Sequence, residues 1–242
     1  MNIKIGCSSY QNYAWRGIFY PDDLQGKYWF EYYCQHFNTF EINATFYTFP
    51  TLRVMENWRN KAPEDFVYSV KAPKLITHTK RFIDCVDELQ QFYEVCQEGL
   101  QQKLGCILFQ MPPSFEYSDE RLDLILQILD TNYRNVIEFR NISWWRNDLL
   151  QSLDFHRISF CSVSYPALPE DVEVTAQVAY FRFHGNTKLF YSGYSNDKLK
   201  DFYSQLCRVE STEDVYIYFN NTAGQEGIID ALKMKKIATE FR

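Results

Sequence analysis

Eight short runs rich in β-branched and aromatic residues recur along the chain: IKIGC (3–7), TFEIN (39–43), FVYSVK (66–71), GCILFQ (105–110), NVIEFR (135–140), RISFCS (157–162), VAYFRFH (178–184) and VYIYFN (215–220). Each reads as a strand. The stretches between them follow a helical period. In the clearest, Phe82, Val86, Leu89, Tyr93, Cys96 and Leu100 form one apolar stripe. Leu122, Ile125, Leu126 and Leu129 do the same after the N-cap candidate Ser118, as do Leu199, Phe202, Tyr203 and Leu206 after Ser195. Residues 27–37, 52–61, 144–153 and 224–238 supply further helices, whereas YPALPED, after the sixth strand, predicts only an irregular one.

Strand and helix alternating at roughly 30 residues per unit specify parallel βα units. With 242 residues and no Gly/Ser/Pro-rich linker, the expected architecture is a single α/β domain over 1–242, a closed (β/α)8 TIM barrel. An open doubly wound sheet is the rival, but no run is built as a short or charged edge strand.

Successive strand residues point to opposite faces, which in a barrel are the helix layer and the lumen. Phe40 and Ile42, Tyr68 and Val70, Ile107 and Phe109, Ile137 and Phe139, Phe181 and Phe183, and Ile217 and Phe219 form one apolar set, expected beneath the helices. The opposite set holds Glu41 and Asn43, Ser69 and Lys71, Gln110, Glu138 and Arg140, Arg182 and His184, and Asn220. Most of these polar residues fall at the C-terminal ends of strands, the face on which barrels build their sites.

Two readings compete for this inward set. In the structural one, Glu41 pairs with Lys71 on the next strand and Glu138 with a nearby arginine, since a buried charge needs a partner. In the functional one they line a ligand pocket, because aliphatic layers would fill a lumen more simply. Two carboxylates face Lys71, Arg140 and Arg182, so the pocket is expected to take a small anionic ligand, phosphate or carboxylate, at the barrel mouth.

Six ordered stretches, HFNTFEINATFY, VKAPKLITHTKR, KLGCILFQMPPSF, VIEFRNISWW, YFRFHG and YIYFNNTAG, resemble the DUF72 or YecE-like family of TIM-barrel proteins. The resemblance spans all eight strands. It places the family's motifs on Glu41, Asn43, Thr45, Phe46 and Tyr47; Lys71, Pro73, Thr77 and His78; Gln110, Pro112 and Pro113; Glu138, Arg140 and Trp144; Arg182, His184 and Gly185; and Asn220 and Asn221. It implies a fold and a site, and it supplies no reaction. One departure is Ser164, in SVSYPALP, where the family usually has an acidic residue before the proline; this weighs against any mechanism needing a carboxylate there.

The residue types suggest acid/base chemistry by Glu41, Glu138 and His184, with Asn43, Tyr47, Lys71, His78, Gln110, Arg140, Trp144, Arg182 and Asn220 binding substrate. Paired carboxylates suit glycoside hydrolysis, although cationic neighbours would favour base or nucleophile over acid. Either His184 or His78 is suited to proton transfer near neutral pH, with a backbone-bonded loop histidine as the equal alternative for His78. No H-E-x-x-H or paired-histidine signature exists, so no metal and no cofactor are expected. NNTAG before a helix resembles a phosphate-binding helix start, though Asn and Gly also simply make turns.

Tyr10, Tyr13, Trp15, Phe46, Tyr47, Trp144 and Trp145 crowd the expected mouth, either to stack on sugars and bases or to seal the barrel. Lys71, Lys74, His78, Lys80 and Arg81 form a basic stretch able to follow a phosphate backbone. A net charge of −6 makes a solvated loop the plainer reading and nucleic acid the less favoured partner. A nucleic-acid-binding or phosphodiester-cleaving protein and a non-catalytic ligand-binding barrel are the alternatives to a metal-independent enzyme of small anionic or phosphorylated sugar-like compounds. Seven dispersed cysteines without C-x-x-C, no signal-peptide h-region and no run of about 20 apolar residues lead to an expected cytoplasmic location with reduced thiols and no membrane partner. The oligomeric state is not legible in the sequence.

Overall fold

All eight expected strands form. In the computed structural model of the chain, which describes residues 1–176, 178–209 and 212–241, they are β1 (Asn2–Cys7), β2 (Thr39–Ile42), β3 (Val67–Lys71), β4 (Leu104–Gln110), β5 (Asn135–Glu138), β6 (Ser159–Ser164), β7 (Val178–Phe183) and β8 (Asp214–Phe219). Every ladder is parallel and the hydrogen-bonded order is β1-β8-β7-β6-β5-β4-β3-β2. Among the described residues seven α-helices lie between strands or after the last: α1 (Trp29–His36), α2 (Leu52–Lys61), α3 (Val86–Leu100), α4 (Asp119–Ile128), α5 (Asn147–Phe155), α6 (Asn196–Leu206) and α7 (Glu226–Glu240). The result is a nearly closed (β/α)8 barrel.

The caps follow the sequence: Ser118 accepts from the Arg121 amide at the start of α4, and Ser195 from the Lys198 amide at the start of α6. Phe82 does not join α3. It is buried in the preceding turn with φ 68°. The sixth strand lies two residues later than RISFCS suggests, because Ser162 and Ser164 both stay in its ladder with β7.

The parity reading holds. Phe40, Ile42, Val70, Phe109, Ile137, Phe181, Ile217 and Phe219 belong to one buried apolar cluster with residues of the helices, while Cys106, Leu108, Val136, Cys161, Tyr180, Tyr216 and Tyr218 form a separate cluster in the lumen. A lower plug of tyrosine and aliphatic groups therefore supports the polar upper layer.

Two departures from an ideal barrel matter. No ladder joins β1 to β2 among the described residues; the hydroxyl of Tyr33, on α1, bridges them instead, accepting from the Cys7 amide (2.8 Å) and donating to the Thr39 carbonyl (3.0 Å). Gly6 permits this seam, since a Cβ there would stand 2.4 Å from the Thr39 carbonyl oxygen. The irregular helix expected after β6 does not form; an extended strap crosses the outer face. The hydroxyl of Ser162 binds both the carbonyl and the amide of Glu173, and that of Thr175 donates to the Ile158 carbonyl (2.8 Å). The hydroxyls of Ser162 on β6 and Thr175 on the strap thus hold the strap where a helix would otherwise pack.

Among the described residues no helix is long and apolar enough to cross a membrane. All seven cysteines are free; five are buried, Cys34 is half-buried and Cys207 is exposed.

Candidate functional site

Strand β7 alternates Tyr180 and Arg182 inward with Phe181 and Phe183 outward, which delivers one guanidinium to the middle of the lumen. Arg182 is 1% exposed and bridges two carboxylates: its Nη2 donates to Glu41 Oε1 (2.7 Å) and its Nη1 to Glu138 Oε2 (2.6 Å). Glu41 also accepts from Asn43 (3.1 Å) and from the Tyr180 hydroxyl (2.7 Å). The other oxygen of Glu138 accepts from Arg140 Nε. The planar fork of arginine meets both acids at once, offsetting the large cost of drying three charges.

The expected pairing of Glu41 with Lys71 does not form. Register sets Glu41 beside Ser69, so Lys71 stands one inward position nearer the mouth. Its Nζ donates to Gln110 Oε1 on β4 (2.9 Å) and lies 4.2 Å from the centre of the Phe46 ring. Gln110 is held in turn by donation from its Nε2 to the Met111 carbonyl (2.7 Å).

Burial raises the Glu138 carboxyl, but Arg140, Arg182 and Lys71 outweigh it and hold it at about 2. Burial, Arg182 and Arg140 lower the Lys71 ammonium to about 8, against the opposing pull of Glu138 and Glu41. Glu138 is therefore a permanent anion near neutral pH, and Lys71 is the group that titrates close to it.

His184 is fully buried just beyond β7. Its Nε2 stands 3.0 Å from Arg140 Nη2 and its Nδ1 2.8 Å from the Asn220 amide, which also meets the Ser8 hydroxyl. Arginine only donates, so Nε2 accepts and Nδ1 carries the ring proton. The Asn220 amide must then turn its oxygen toward Nδ1 and its nitrogen toward Ser8. Burial, Arg140, Arg182 and Lys71 all push the imidazolium well below the usual histidine range. His78, on a single π-helical turn (Leu75–Thr79), bonds Thr77 Oγ1 (2.9 Å) and meets the Phe46 ring edge-on; burial with Lys71, Lys74, Arg81 and Arg140 lowers it to about 4. Burial and this cationic surrounding together lower both histidines from their ordinary range.

Above the cluster opens a recess of ≈ 330 Å³ lined by Asn43, Phe46, Tyr47, Lys71, Arg182, Phe190, Asn220, Thr222 and Ala223. Tyr47, 83% exposed, is its rim. Among the described residues Asn43 Oδ1 and Arg182 Nε are buried without a hydrogen-bond partner. Phe190 closes one side: its amide donates to the His184 carbonyl, and its carbonyl accepts from the Ala223 amide (3.1 Å). Gly185 makes the return possible with φ 111°, in the left-handed region.

Trp144 does not belong to the site. It stacks on Phe139 at 4.0 Å and on Phe115 at 5.4 Å, and donates from Nε1 to the Phe115 carbonyl (2.6 Å), so it packs beneath the loop. The NNTAG turn is also committed internally. Asn221 donates to the Ser192 carbonyl and to Asp230, while Asn12 and Trp15 donate to the Gly224 carbonyl. Ser164 donates to Glu170 (2.6 Å) and accepts from the Tyr194 hydroxyl (2.8 Å), beside α6 and the strap.

Three participants escape the sequence reading: Tyr180, which holds Glu41; Ser8, which holds Asn220; and Tyr165, whose ring lies 4.1 Å beneath the Arg140 guanidinium. Tyr180 was accessible to the parity rule, being two residues from Arg182. Tyr165 lies in a loop, where no periodicity reports direction. Among the described residues no three His, Cys, Asp or Glu side chains gather as a metal would need.

The family described as protein of unknown function DUF72 matches residues 4–241. UPF0759 protein YunF of Bacillus subtilis (strain 168) is 24% identical over 253 aligned positions, 90% of this chain and 89% of that protein. UPF0759 protein YecE of Escherichia coli (strain K12) is 32% identical over 85 residues, 35% of this chain and 31% of YecE. A crystal structure of a DUF72 family protein from Thermotoga maritima MSB8 superposes with a TM-score of 0.89 at 28% identity, covering 99% of this chain and 100% of the other. One from Enterococcus faecalis V583 gives 0.84 at 21% identity, covering 98% and 95%, a likeness of fold.

Proposed function

This chain belongs to the DUF72 family, and on that premise we propose that it is a metal-independent enzyme acting on a small anionic or phosphorylated sugar-like compound at the C-terminal mouth of its barrel. One observation carries the reading: two cationic side chains, Lys71 and Arg182, line an open recess, and Arg182 and Arg140 are ion-paired with the carboxylates Glu41 and Glu138. A surplus positive charge in a dry, walled site is an attractive place for phosphate or carboxylate, and it occurs inside a chain of net charge −6.

Glu41 and Glu138 then act chiefly as positioning residues, fixing the arginines, with Glu138 available as an acceptor because it stays ionised. Neutral His184 orients Arg140. Asn43, Asn220 and Tyr47 offer the hydrogen bonds and the exposed ring that a polyhydroxylated body would use.

The test is a thermal-shift panel of sugar phosphates and sugar acids on wild type, Lys71→Gln and Arg140→Gln, followed by turnover assays on whatever binds. At least one compound should raise the wild-type melting temperature and bind about tenfold more weakly to each variant, as loss of one charged hydrogen bond implies. A panel in which nothing binds wild type better than the variants refutes the reading. Binding without turnover of any bound compound would leave a ligand-binding barrel in its place.

A further inference from the structure

We propose that Lys71 is a nucleophile that condenses with the carbonyl carbon of a small anionic aldehyde or ketone held in the mouth recess. This rests on the anion-binding reading above and adds the bond that forms there. Arg140 and Arg182 each have carboxylate partners within ion-pair distance. Lys71 has no such partner among the described residues; its Nζ meets one neutral amide oxygen and the face of one aromatic ring. An amine held by a single acceptor, Gln110, keeps its remaining directions open to the recess that Lys71 lines.

The surroundings also favour the reactive form. Desolvation next to other cations is the general means by which proteins turn a lysine into a nucleophile. With the ammonium near 8, about a tenth of Lys71 is free amine near neutral pH, against about one part in a thousand or less for an ordinary lysine. Arg182 lines the same recess, and its buried Nε–H has no partner among the described residues.

The step balances without an outside oxidant or reductant. The amine lone pair forms a C–N bond, the carbonyl π pair moves to oxygen, and that oxygen takes a proton to give a carbinolamine. Oxygen then leaves as water with a second proton from the former ammonium, so lysine ammonium plus carbonyl becomes protonated imine plus water. The protonated imine draws electrons from the neighbouring carbon, which suits deprotonation or carbon–carbon cleavage beside the carbonyl.

The experiment uses pyridoxal 5′-phosphate, an anionic aldehyde, with borohydride reduction and peptide mapping. Lys71 should label at least about tenfold faster near neutral pH than the exposed Lys27 and Lys236, its rate rising with a midpoint near 8, and inorganic phosphate should slow Lys71 alone. Labelling of Lys71 no faster than of Lys27 overturns the proposal. If phosphate still protects wild type, and not Arg140→Gln, against thermal unfolding, the anion site survives that failure. Fast labelling that phosphate does not slow supports the nucleophile and counts against the anion site. Lys71→Arg, which keeps the charge, should retain phosphate binding; if it instead unfolds, the wild-type rate comparison still decides.

Discussion

Replacing Lys71 with methionine should make the protein more stable near neutral pH while removing anion binding. The folded chain holds the ammonium at about 8 where an unfolded one holds it at 10.5. At about 1.4 kcal/mol per tenfold change in acidity, keeping that side chain charged costs the fold about 3 kcal/mol near pH 7. Below about 8 both states bind the proton and the full cost is present. Between 8 and 10.5 the unfolded chain holds a proton that the folded chain has released, so this contribution to stability rises with pH.

Methionine keeps the length and the contact with Phe46 but loses the hydrogen bond to Gln110, worth about 1 kcal/mol. The expected gain is therefore about 2 kcal/mol near pH 7, or about 4–8 °C in melting temperature for a chain of this size. Near pH 10 the residual cost of the native lysine falls to about 1 kcal/mol and the gain vanishes. Urea unfolding of both proteins at the two pH values reads the difference. A variant less stable than wild type near pH 7, or a gain unchanged near pH 10, refutes the account of Lys71 as a dried, cation-crowded ammonium.

Arg182→Met should destabilise by about 3–5 kcal/mol in chemical denaturation, because it strands Glu41 and Glu138 together without their shared partner; adding Glu41→Gln should recover part of the loss, and no recovery would mean that packing rather than charge sets the cost. Tyr33→Phe should cost about 1–3 kcal/mol by leaving a buried amide and carbonyl unpaired, and hydrogen exchange at the Cys7 amide should accelerate more than at amides of the β4–β5 ladder. Equal acceleration at both places would show that the hydroxyl is no local staple.

The barrel was legible because its alternation serves two different solvents. Phe181 and Phe183 face helices while Arg182 faces the lumen, and a period of two exposes that split without coordinates. Partner choice was not legible. Adjacent strands suggested Glu41 with Lys71, but pairing depends on register, which brings Ser69 level with Glu41, and on the reach of a guanidinium from the far side of the lumen. Trp144 shows a different limit: its strand-end neighbours suggested the mouth, whereas rings on either side draw it into packing. The acidities of Lys71 and His184 come from burial together with charges on several strands at once, which no local pattern records.

The arrangement of the first strand has a consequence for how the chain is made. β1 ladders with β8, Asn2 lying opposite Asp214, and has no ladder with β2, its neighbour in sequence. During synthesis β1 therefore precedes its backbone partner β8 by more than 200 residues. Contacts of such separation are slow to form and leave apolar surface waiting. A nascent chain halted before β8 would carry an unpaired strand edge at β1, which only the arrival of β8 covers.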